Sequence, residues 1–426
     1  MLAYRAMSEG AMLATSLQGA RAETDALFRL LAPDAIYDRP IPERNRLVFY
    51  LGHLEAFDWN QIGRVCLDMP SFHPEFDRLF EAGIDPPPGQ GPQDQPSDWP
   101  SVAVVEQYSQ RVRARLDAVL DHAPPSNVQM VIEHRMMHAE TFAYLLHQLP
   151  YTRKQQVAPA AIPTAGAEVS AGEFIDIPAG IATLGQRAGE FGWDNEFDCH
   201  TVYVPAFAIG KHKVTNGEYL EYVRQGAKPP HFWVERRGQW FFHGMFSETP
   251  LPLDFPVWVT HREATAYAHW RGLELPTEGQ FHRAAYGTLS EAASGTLSEA
   301  ASGAPANGER FYPWGNDAPT AAHGNFDSHA WDPQSVLAHS PGDSAFGVSQ
   351  LIGNGWEWTA TPFAPFPGFT PASYYLTYSQ NFFDGEHFVL KGGSPRTPAG
   401  LLRRSFRNWF RPNYPYVYAG FHLIAN

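Results

Sequence analysis

The sequence is poor in cysteine and in charged residues, and it has no long apolar run. Its 426 residues include two cysteines, Cys66 and Cys199, which argues against a disulfide framework or a thiolate metal site and favours a reducing cytoplasm. No apolar segment approaches the ~18 residues that a membrane span needs, and the N-terminus shows no signal-peptide pattern. These features predict a soluble, cytoplasmic protein.

Basic residues are scarce relative to acidic ones. The formal net charge is −14, from 31 lysines and arginines against 45 aspartates and glutamates. Nucleic acids and anionic membranes bind basic surfaces, so neither is an expected partner. Apolar residues, by contrast, are plentiful: 44% of the chain is hydrophobic and 14% is aromatic, enough at this length for two packed domains.

The first 155 residues show the periodicity of α-helices. Apolar positions recur every three or four residues in two segments, at Val105, Tyr108, Val112, Leu116 and Val119 and at Val131, His138, Phe142 and Leu145. Shorter helical stretches are expected around 26–31 and over 47–65. The proline-rich residues 85–100 are expected to form an irregular connection. The pattern predicts a four-helix bundle.

A change of composition near residue 160 indicates a second domain. Residues 156–172 are small and nearly uncharged, as in an interdomain linker. Residues 173–426 hold ten of the twelve tryptophans and contain short β-like runs at 174–177, 201–209 and 388–391, which predicts an irregular α+β domain. The sequence GTLSEAAS at 287–294 is repeated at 295–302, and the insert 287–307 is expected to be a surface loop without function.

The segment EHRMMHAE (133–140) is the strongest candidate for chemistry in the helical half. His134 and His138 lie four positions apart in a predicted helix, so both imidazoles project from the same, largely apolar face. His53, in another predicted helix, is a third candidate. Three inward histidines could bind Fe(II) with oxygen and substrate or Zn(II) with water, and they could equally be buried histidines without a metal. Spacing alone leaves these alternatives open.

These motifs resemble those of a known enzyme family. LGH at 51–53 with HxxxHxE at 134–140 is similar to the DinB-like iron-binding domain of the ergothioneine-pathway sulfoxide synthases. The second half resembles the formylglycine-generating-enzyme fold, a variant of the C-type lectin fold, through KVTNGEYLEYV (213–223), YPWGN (312–316), GVSQLIGNGWEWT (347–359), VLKGGS (389–394) and RNWFRP (407–412). The implied fold class is α plus α+β: a DinB-like four-helix bundle (1–155), then a formylglycine-generating-enzyme-like domain (173–426).

The fusion of these two domains implies an Fe(II)- and O2-dependent enzyme that acts on N-α-trimethylhistidine (hercynine) at the domain junction. The positions that match the iron ligands of the family are His53, His134 and His138. Asn408 and Trp409 match residues around the trimethylammonium and carboxylate groups of hercynine; an aromatic face suits a quaternary ammonium, which cannot donate hydrogen bonds. Tyr378 matches a tyrosine that supplies a proton or an electron during oxygen chemistry.

Three positions depart from the family members that use γ-glutamylcysteine. Those enzymes have an aspartate directly after RNW and an arginine four residues later, where this chain has Phe410 and Tyr414. A zwitterionic donor would lose its ion-pair partners there, whereas a sugar can stack on aromatic rings. Met137 replaces a glutamine that contacts hercynine. These departures resemble the selenoneine synthases, which take a selenosugar; the alternative is a sulfoxide synthase using cysteine or γ-glutamylcysteine.

Further positions have weaker support. Arg111, before the second ligand helix, is a candidate for binding a donor carboxylate, although a solvated surface position explains it as well. Gln380 is expected to share one side of a strand with Tyr378 and to touch a ligand. Asn354 and Glu357 could ligate a structural Ca(II), or they could belong to a hydrogen-bonded turn.

Two other functions compete with the oxygen-dependent enzyme. A zinc thiol transferase could use the same three histidines, and metal content with oxygen consumption would distinguish it. A lectin-like module that binds hercynine or a sugar without turnover is the other alternative. Formylglycine generation is not expected, because the second domain has only Cys199, well before the position of the nucleophile in those enzymes.

Overall fold

The computed structural model describes residues 9–81, 91–155, 172–289, 308–372, 375 and 378–425. The chain divides into two compact units, Met1–Pro159 and Ala160–Asn426. Nearly all of the predicted linker (156–172) and most of the duplicated insert (287–307) lie outside the described residues, as does the first part of the predicted connection 85–100. None of the described helices combines the length and apolar character needed to cross a membrane.

The first unit is helical. Its helices are α1 (Glu9–Phe28), α2 (Leu47–Asp58), α3 (Pro74–Leu79), α4 (Val102–Asp117) and α5 (Pro125–Gln148), and a π-helical segment (Trp59–Cys66) continues α2. Helix α1 packs on α5, and α2 packs on both α4 and α5. The four longest helices confirm the predicted bundle, and the predicted segment 47–65 corresponds to α2 with its π-helical continuation.

The expectation of a helix around 26–31 was wrong in position. Helix α1 ends at Phe28 and extends back to Glu9. Its buried face has the helical spacing Leu17, Ala20, Arg21, Thr24 and Leu27. Two of these five side chains are polar, so hydrophobic periodicity underestimates the helix. Arg21 is accommodated because its guanidinium donates to Asp117 at 2.6 Å.

In its described residues, the second unit combines three helices with twelve short strands. The helices are α6 (Asn216–Arg224), α7 (His261–Trp270) and α8 (Glu278–Tyr286). The strands are β1 (Phe174–Ile177), β2 (Gly180–Leu184), β3 (His200–Val204), β4 (Phe207–Gly210), β5 (Trp233–Arg236), β6 (Gln239–His243), β7 (Glu248–Pro250), β8 (Trp356–Pro362), β9 (Phe388–Lys391), β10 (Asn408–Phe410), β11 (Ala419–Gly420) and β12 (Ile424–Ala425). The predicted strands 174–177 and 388–391 coincide with β1 and β9, and 201–209 is divided between β3 and β4.

Each helix of the second unit begins with a capping box. Thr215, Thr260 and Thr277 accept a hydrogen bond from the main-chain N–H three residues later, and the acid or amide there reaches back. The sequence patterns TNGE, THRE and TEGQ therefore define the three helix starts, because a threonine followed three positions later by Glu or Gln satisfies two otherwise unpaired donors.

The strands form small sheets around a hydrophobic core of aliphatic and aromatic side chains. The sheet that carries the candidate residues has the order β10-β9-β8-β11, with β10 antiparallel to β9 at its edge. Trp409 in β10 is paired with Val389 in β9. The other sheets are β1-β4-β12, β5-β6-β7 and β2-β3. Helix α8 packs against β2, β3, β8 and β9, so the core lies between this helix and the sheets.

Candidate functional site

Helices α2 and α5 bring three histidine side chains together in the first unit. The ring centroids of His53 and His138 are 4.9 Å apart, and those of His134 and His138 are 4.4 Å apart. One ligand nitrogen from each of the three rings lies within 4.8 Å of the others, and all three residues are buried. Among the described residues, this is the one cluster of three metal-binding side chains that was found.

Hydrogen bonding orients His53 towards the cluster. Its Nδ1–H donates to the main-chain carbonyl of Phe80 at 2.6 Å, because a carbonyl can only accept. This bond fixes the tautomer and leaves the Nε2 lone pair available. In the described structure Nε2 has no hydrogen-bond partner, and the same is true of Nδ1 of His134 and of both ring nitrogens of His138. Buried polar atoms usually have partners, so these nitrogens point to an absent ligand.

Burial keeps all three imidazoles neutral. It lowers the pKa of His53 to about 4, and burial together with the neighbouring imidazoles lowers the pKa of His134 far below its usual range. Burial also lowers the pKa of His138 strongly. Metal ligation requires neutral imidazole, so the pocket favours the ligating form. The residues therefore fit a divalent metal with nitrogen ligands and open positions.

A buried ion-pair network supports the two helices that carry the three histidines. Arg135, next to His134, is fully buried and donates to Asp58 at 2.6 Å and to Glu55 at 2.6 Å. The other carboxylate oxygen of Glu55 accepts from Arg113 at 2.7 Å. These bonds join α5 to α2 and α4. Removing one partner of such a network leaves an uncompensated buried charge, which costs roughly 3–5 kcal/mol.

Two of the predicted substrate-binding residues belong to this unit. Met137 is half-buried on α5, one turn beyond His134, and its carbonyl accepts from Thr141. Arg111 is exposed on α4, and its guanidinium lies 5.1 Å from the centre of the Phe72 ring. The structure thus places Met137 on the same helix as His134 and His138, and it places Arg111 at the surface.

The second unit brings Tyr378 and Trp409 together in an aromatic cluster. The Trp409 ring stacks on Phe363, with centroids 4.2 Å apart and planes within 7°, and meets Tyr378 edge-on at 5.5 Å. Phe382 is 5.6 Å away. On its other side Tyr378 stacks on Trp193 at 4.1 Å. Tyr378 and Trp409 are both half-buried, so the cluster is partly accessible to solvent.

Polar contacts hold the segment that carries Tyr378. The Ser379 hydroxyl donates to Asp194 at 2.5 Å and accepts from the side chain of Asn195 at 2.9 Å. Arg407 donates to the carbonyl of Asn195 and to the carboxylate of Glu278. The turn after Trp193 thus binds both the segment that carries Tyr378 and the RNW segment.

The side chains of Asn408, Trp409 and Phe410 lie on alternate faces of strand β10. Asn408 and Phe410 project from one face of β10 and Trp409 from the other. The Asn408 side-chain oxygen accepts from the N–H of Trp409 at 2.9 Å. Phe410 stacks on Tyr414 with centroids 4.9 Å apart and planes within 14°, and Tyr414 meets Tyr416 edge-on. Trp409 with Tyr378, and Phe410 with Tyr414, are therefore two separate aromatic groups.

The expectation that Gln380 shares a strand face with Tyr378 was wrong. Gln380 begins a short 3-10 helix, Gln380–Phe382, and its side chain is exposed. The Phe382 N–H donates back to the Ser379 carbonyl, so the chain turns where an extended segment was expected. Residues two apart do not align in such a turn, which removes the argument for Gln380.

The candidate calcium ligands have protein partners. The Glu357 carboxylate, fully buried, accepts from Lys213 and from Nδ1 of His422 at 2.8 Å. The Asn354 side-chain oxygen accepts from the amide of Asn325 and from the N–H of Gln334. Both sets of oxygens are satisfied within the protein, which favours the hydrogen-bonded turn over the calcium site.

Replacing Glu357 by glutamine should destabilise the second unit by about 3–5 kcal/mol, because the buried Lys213 ammonium loses its counter-charge. Burial alone would raise the pKa of Glu357, but the charges of His422 and Lys213 lower it to about 2. This carboxylate therefore contributes about 3 kcal/mol of stability above pH 4.5, which is lost as the pH falls towards 2. Denaturant unfolding at several pH values should show that loss in the wild type and not in Glu357→Gln.

The matched control is Glu221→Gln, which removes an exposed carboxylate paired with Arg224. Its expected effect is below about 1 kcal/mol. Millimolar calcium should leave both unfolding midpoints unchanged. Stabilisation of the wild type by calcium, absent in Glu357→Gln, would instead restore the calcium site.

Sequence reasoning did not identify the residues that support these groups. Phe80 contributes a main-chain carbonyl, which has no signature in a side-chain pattern. Trp193 contacts Tyr378, and Asp194 contacts Ser379, each across 185 positions of sequence. The one available signal was in α2, where Glu55 and Asp58 follow His53 on a segment predicted to be buried. Buried carboxylates require a cation, and Arg135 lies beside His134.

Comparisons with known proteins give two family matches, one in each of the two units of the chain. Residues 16–148 match the DinB superfamily, and residues 159–426 match the sulfatase-modifying factor enzyme 1-like domain. The chain is 34% identical to the hercynine oxygenase of Mycolicibacterium smegmatis, over 82% of this chain and 83% of that protein. It is 34% identical to the hercynine oxygenase of Mycolicibacterium thermoresistibile, over 76% and 75% respectively.

A fungal relative is similar along most of the chain. The ergothioneine biosynthesis protein 1 of Neurospora crassa is 27% identical over 94% of this chain, which spans 56% of that protein's length. The family matches confirm the expected fold class, α plus α+β, with a DinB-like helical bundle followed by a formylglycine-generating-enzyme-like domain.

Proposed function

The chain belongs to the ergothioneine sulfoxide synthase family, and on that premise we propose that it is an Fe(II)- and O2-dependent enzyme that forms a carbon–chalcogen bond at the imidazole C2 of hercynine. The observation that carries the proposal is the buried three-histidine cluster, whose inward nitrogens lack protein partners. Relatives that share the two domains are named for hercynine oxidation and ergothioneine biosynthesis. An iron(II) ion held by the three imidazoles would supply the redox chemistry that O2 requires.

The overall reaction balances with one O2. The imidazole C2–H and the donor chalcogen–H bonds are lost, while a carbon–chalcogen bond and a chalcogen–oxygen bond form. The second oxygen atom leaves as water. The four electrons that reduce O2 come from forming the carbon–chalcogen bond and from oxidising the chalcogen.

The aromatic cluster around Trp409 is proposed to bind the trimethylammonium group of hercynine. A quaternary ammonium is attracted to aromatic faces, and a partly desolvated contact of this kind contributes about 2 kcal/mol. Phe363 supports the Trp409 ring from behind, and the Arg407 guanidinium lies 5.0 Å from Phe363. Arg407 is itself buried, so it packs against Phe363 on the interior side of the cluster.

The proposed donor is a selenosugar. Phe410 and Tyr414 supply an uncharged, stacked pair of rings at the positions where family members that use γ-glutamylcysteine carry an aspartate and an arginine. A zwitterionic thiol peptide would have to leave its two charges without those partners, at a cost of several kcal/mol in a partly dry site (roughly 1.5–3 per charged hydrogen bond). A sugar carries no such charges. Met137 adds a polarisable thioether beside the metal ligands.

A donor competition tests this proposal. Anaerobically purified, iron-loaded enzyme receives hercynine, O2 and equal amounts of a selenosugar, cysteine and γ-glutamylcysteine, and mass spectrometry identifies the products. The expected product contains selenium. A sulfoxide as the main product would refute the selenosugar and retain the family reaction. Thiol transfer by zinc-loaded enzyme without oxygen consumption would refute the oxygen-dependent reaction itself.

A charge-restoring variant sharpens the same test. Phe410→Asp combined with Tyr414→Arg should move preference towards γ-glutamylcysteine by at least tenfold, because it restores two charge-assisted contacts. The matched control makes the same two changes at exposed aromatic positions of the same unit, Phe311→Asp with Tyr203→Arg. The control should retain the wild-type preference; an equal shift in both double variants would show a non-local charge effect.

A further inference from the structure

Gly52, directly before the ligand His53, has no room for a side chain. A Cβ atom built on it would lie 2.6 Å from three carbons of the Phe80 ring. Non-bonded carbons pack at about 3.5–4.0 Å, so the ring rests directly on the backbone of α2 at this position. Close packing against Phe80 thus explains why the LGH motif has a glycine at position 52.

The Phe80 ring cannot move aside to admit a larger residue. It is fully buried, and its neighbours are aromatic on several sides: Phe76 at 5.5 Å, Trp99 at 6.1 Å, Tyr108 at 6.1 Å and Phe49 at 6.4 Å between ring centroids. Interiors packed at this density transmit a displacement instead of absorbing it. A methyl group on Gly52 would therefore displace the Phe80 residue as a whole.

The proposed metal site depends on the main-chain carbonyl of Phe80. Its carbonyl accepts the Nδ1–H of His53 at 2.6 Å, which leaves His53 Nε2 directed at the other two histidines. Helix α3 ends at Leu79, so Phe80 is the cap residue, and its N–H is bonded to the carbonyl of Phe76. Ring packing on Gly52 is therefore one of the contacts that locate this carbonyl.

We propose that Gly52 and Phe80 act as a positioning pair for the metal site: contact of the Phe80 ring with Gly52 sets the position of the Phe80 carbonyl, and the carbonyl sets the tautomer and ring orientation of His53. This inference rests on the proposed metal-binding function of the three histidines. Outer-shell partners of this kind typically change metal affinity by roughly 10–100-fold when they are lost. Neither residue contacts the metal, so both are positioning residues.

The test uses Gly52→Ala in the full chain, with Co(II) and Zn(II) as probes. We expect metal affinity, measured by competition with a chelator, to fall by roughly 10–100-fold. The d–d spectrum of the Co(II) form should change because one imidazole is misoriented. In the metal-free protein, 15N NMR of the histidine rings should show His53 as the Nδ1–H tautomer in the wild type and as a mixture in the variant. A general loss of stability would not change the tautomer.

A second substitution provides the rescue. Phe80→Leu removes ring atoms that a Cβ on residue 52 would meet, so Gly52→Ala combined with Phe80→Leu should bind metal within about threefold of Phe80→Leu alone, as a coupled pair does in a double-mutant cycle. The matched control is Gly19→Ala in α1, where an added Cβ meets nothing within 4 Å. That variant should bind metal like the wild type.

The outcomes separate this inference from the function on which it rests. If the wild type binds neither metal, the proposed function fails, and the 15N tautomer still tests the pair. If the wild type binds and Gly52→Ala binds equally well with an unchanged tautomer, the positioning pair is overturned. If Gly52→Ala does not fold, Phe80→Leu decides, because it removes the ring contact without adding a clash: a mixture of His53 tautomers supports the pair, and an unchanged Nδ1–H tautomer overturns it.

Discussion

Replacing His138 by alanine is expected to abolish metal retention and turnover together. His138 is the residue of the cluster with both ring nitrogens buried and without partners, and its ring is closest to that of His134. Loss of one of three imidazole ligands should weaken metal binding by more than ~100-fold, beyond the roughly 10–100-fold typical of outer-shell changes. Metal content after purification and hercynine-dependent oxygen consumption measure the two effects.

The same variant should fold normally without metal. Alanine leaves a cavity, but it also removes two buried nitrogens that lack partners in the described structure, and each such group costs about 1–3 kcal/mol. We therefore expect the free energy of unfolding of the metal-free protein to change by less than about 2 kcal/mol. Zinc at 100 times its Kd should stabilise the wild type by about 2.7 kcal/mol and leave His138→Ala unaffected.

The matched control is His122→Ala, which removes an exposed histidine of the same unit outside the cluster. It should retain full metal content and the full stabilisation by zinc. If His138→Ala also keeps its metal, the cluster is a set of buried structural histidines and the proposed chemistry loses its basis.

The histidine cluster could be predicted from the sequence because its signal is local. Two histidines four positions apart on an apolar helix face must lie on the same side of that helix, and the packing of α2 on α5 then brings His53 to them. The support of that site could not be predicted in the same way. The Phe80 carbonyl lies 27 residues from His53 and belongs to the backbone, whose direction depends on where α3 ends.

In the second unit, the sequence predicted strands better than the contacts between loops. The β1 and β9 bounds follow from short β-branched and aromatic runs, whereas the three helices of this unit were not predicted, although their capping boxes are visible in the sequence. The segment after Tyr378 was expected to be extended and is a 3-10 turn, because contacts with a turn 185 positions earlier determine its path. Contacts between residues so far apart in sequence leave no periodic pattern. The prediction that Gln380 lies in a strand was therefore wrong, and the contact of Trp193 with Tyr378 was not predicted.

Replacing Tyr378 by phenylalanine is expected to stop the chemistry while preserving the binding of hercynine. The substitution removes one hydroxyl and keeps the ring, so the stack on Trp193 at 4.1 Å and the edge contact with Trp409 can remain. If the phenol supplies a proton to the reacting oxygen, its loss should lower the turnover rate by roughly 10²–10⁴-fold. Hercynine affinity, measured by equilibrium dialysis, should change by less than about threefold.

Tyr375→Phe is the matched control, because Tyr375 is a neighbouring tyrosine whose ring lies 5.6 Å from that of Tyr378. Its turnover should stay within about threefold of the wild type. Equal losses of binding and turnover in Tyr378→Phe would assign Tyr378 to substrate positioning instead. Unchanged turnover would remove it from the mechanism. A fall in turnover alone, confined to Tyr378→Phe, would be the evidence that this hydroxyl takes part in the reaction, since the two variants differ only in which of two adjacent phenols is missing.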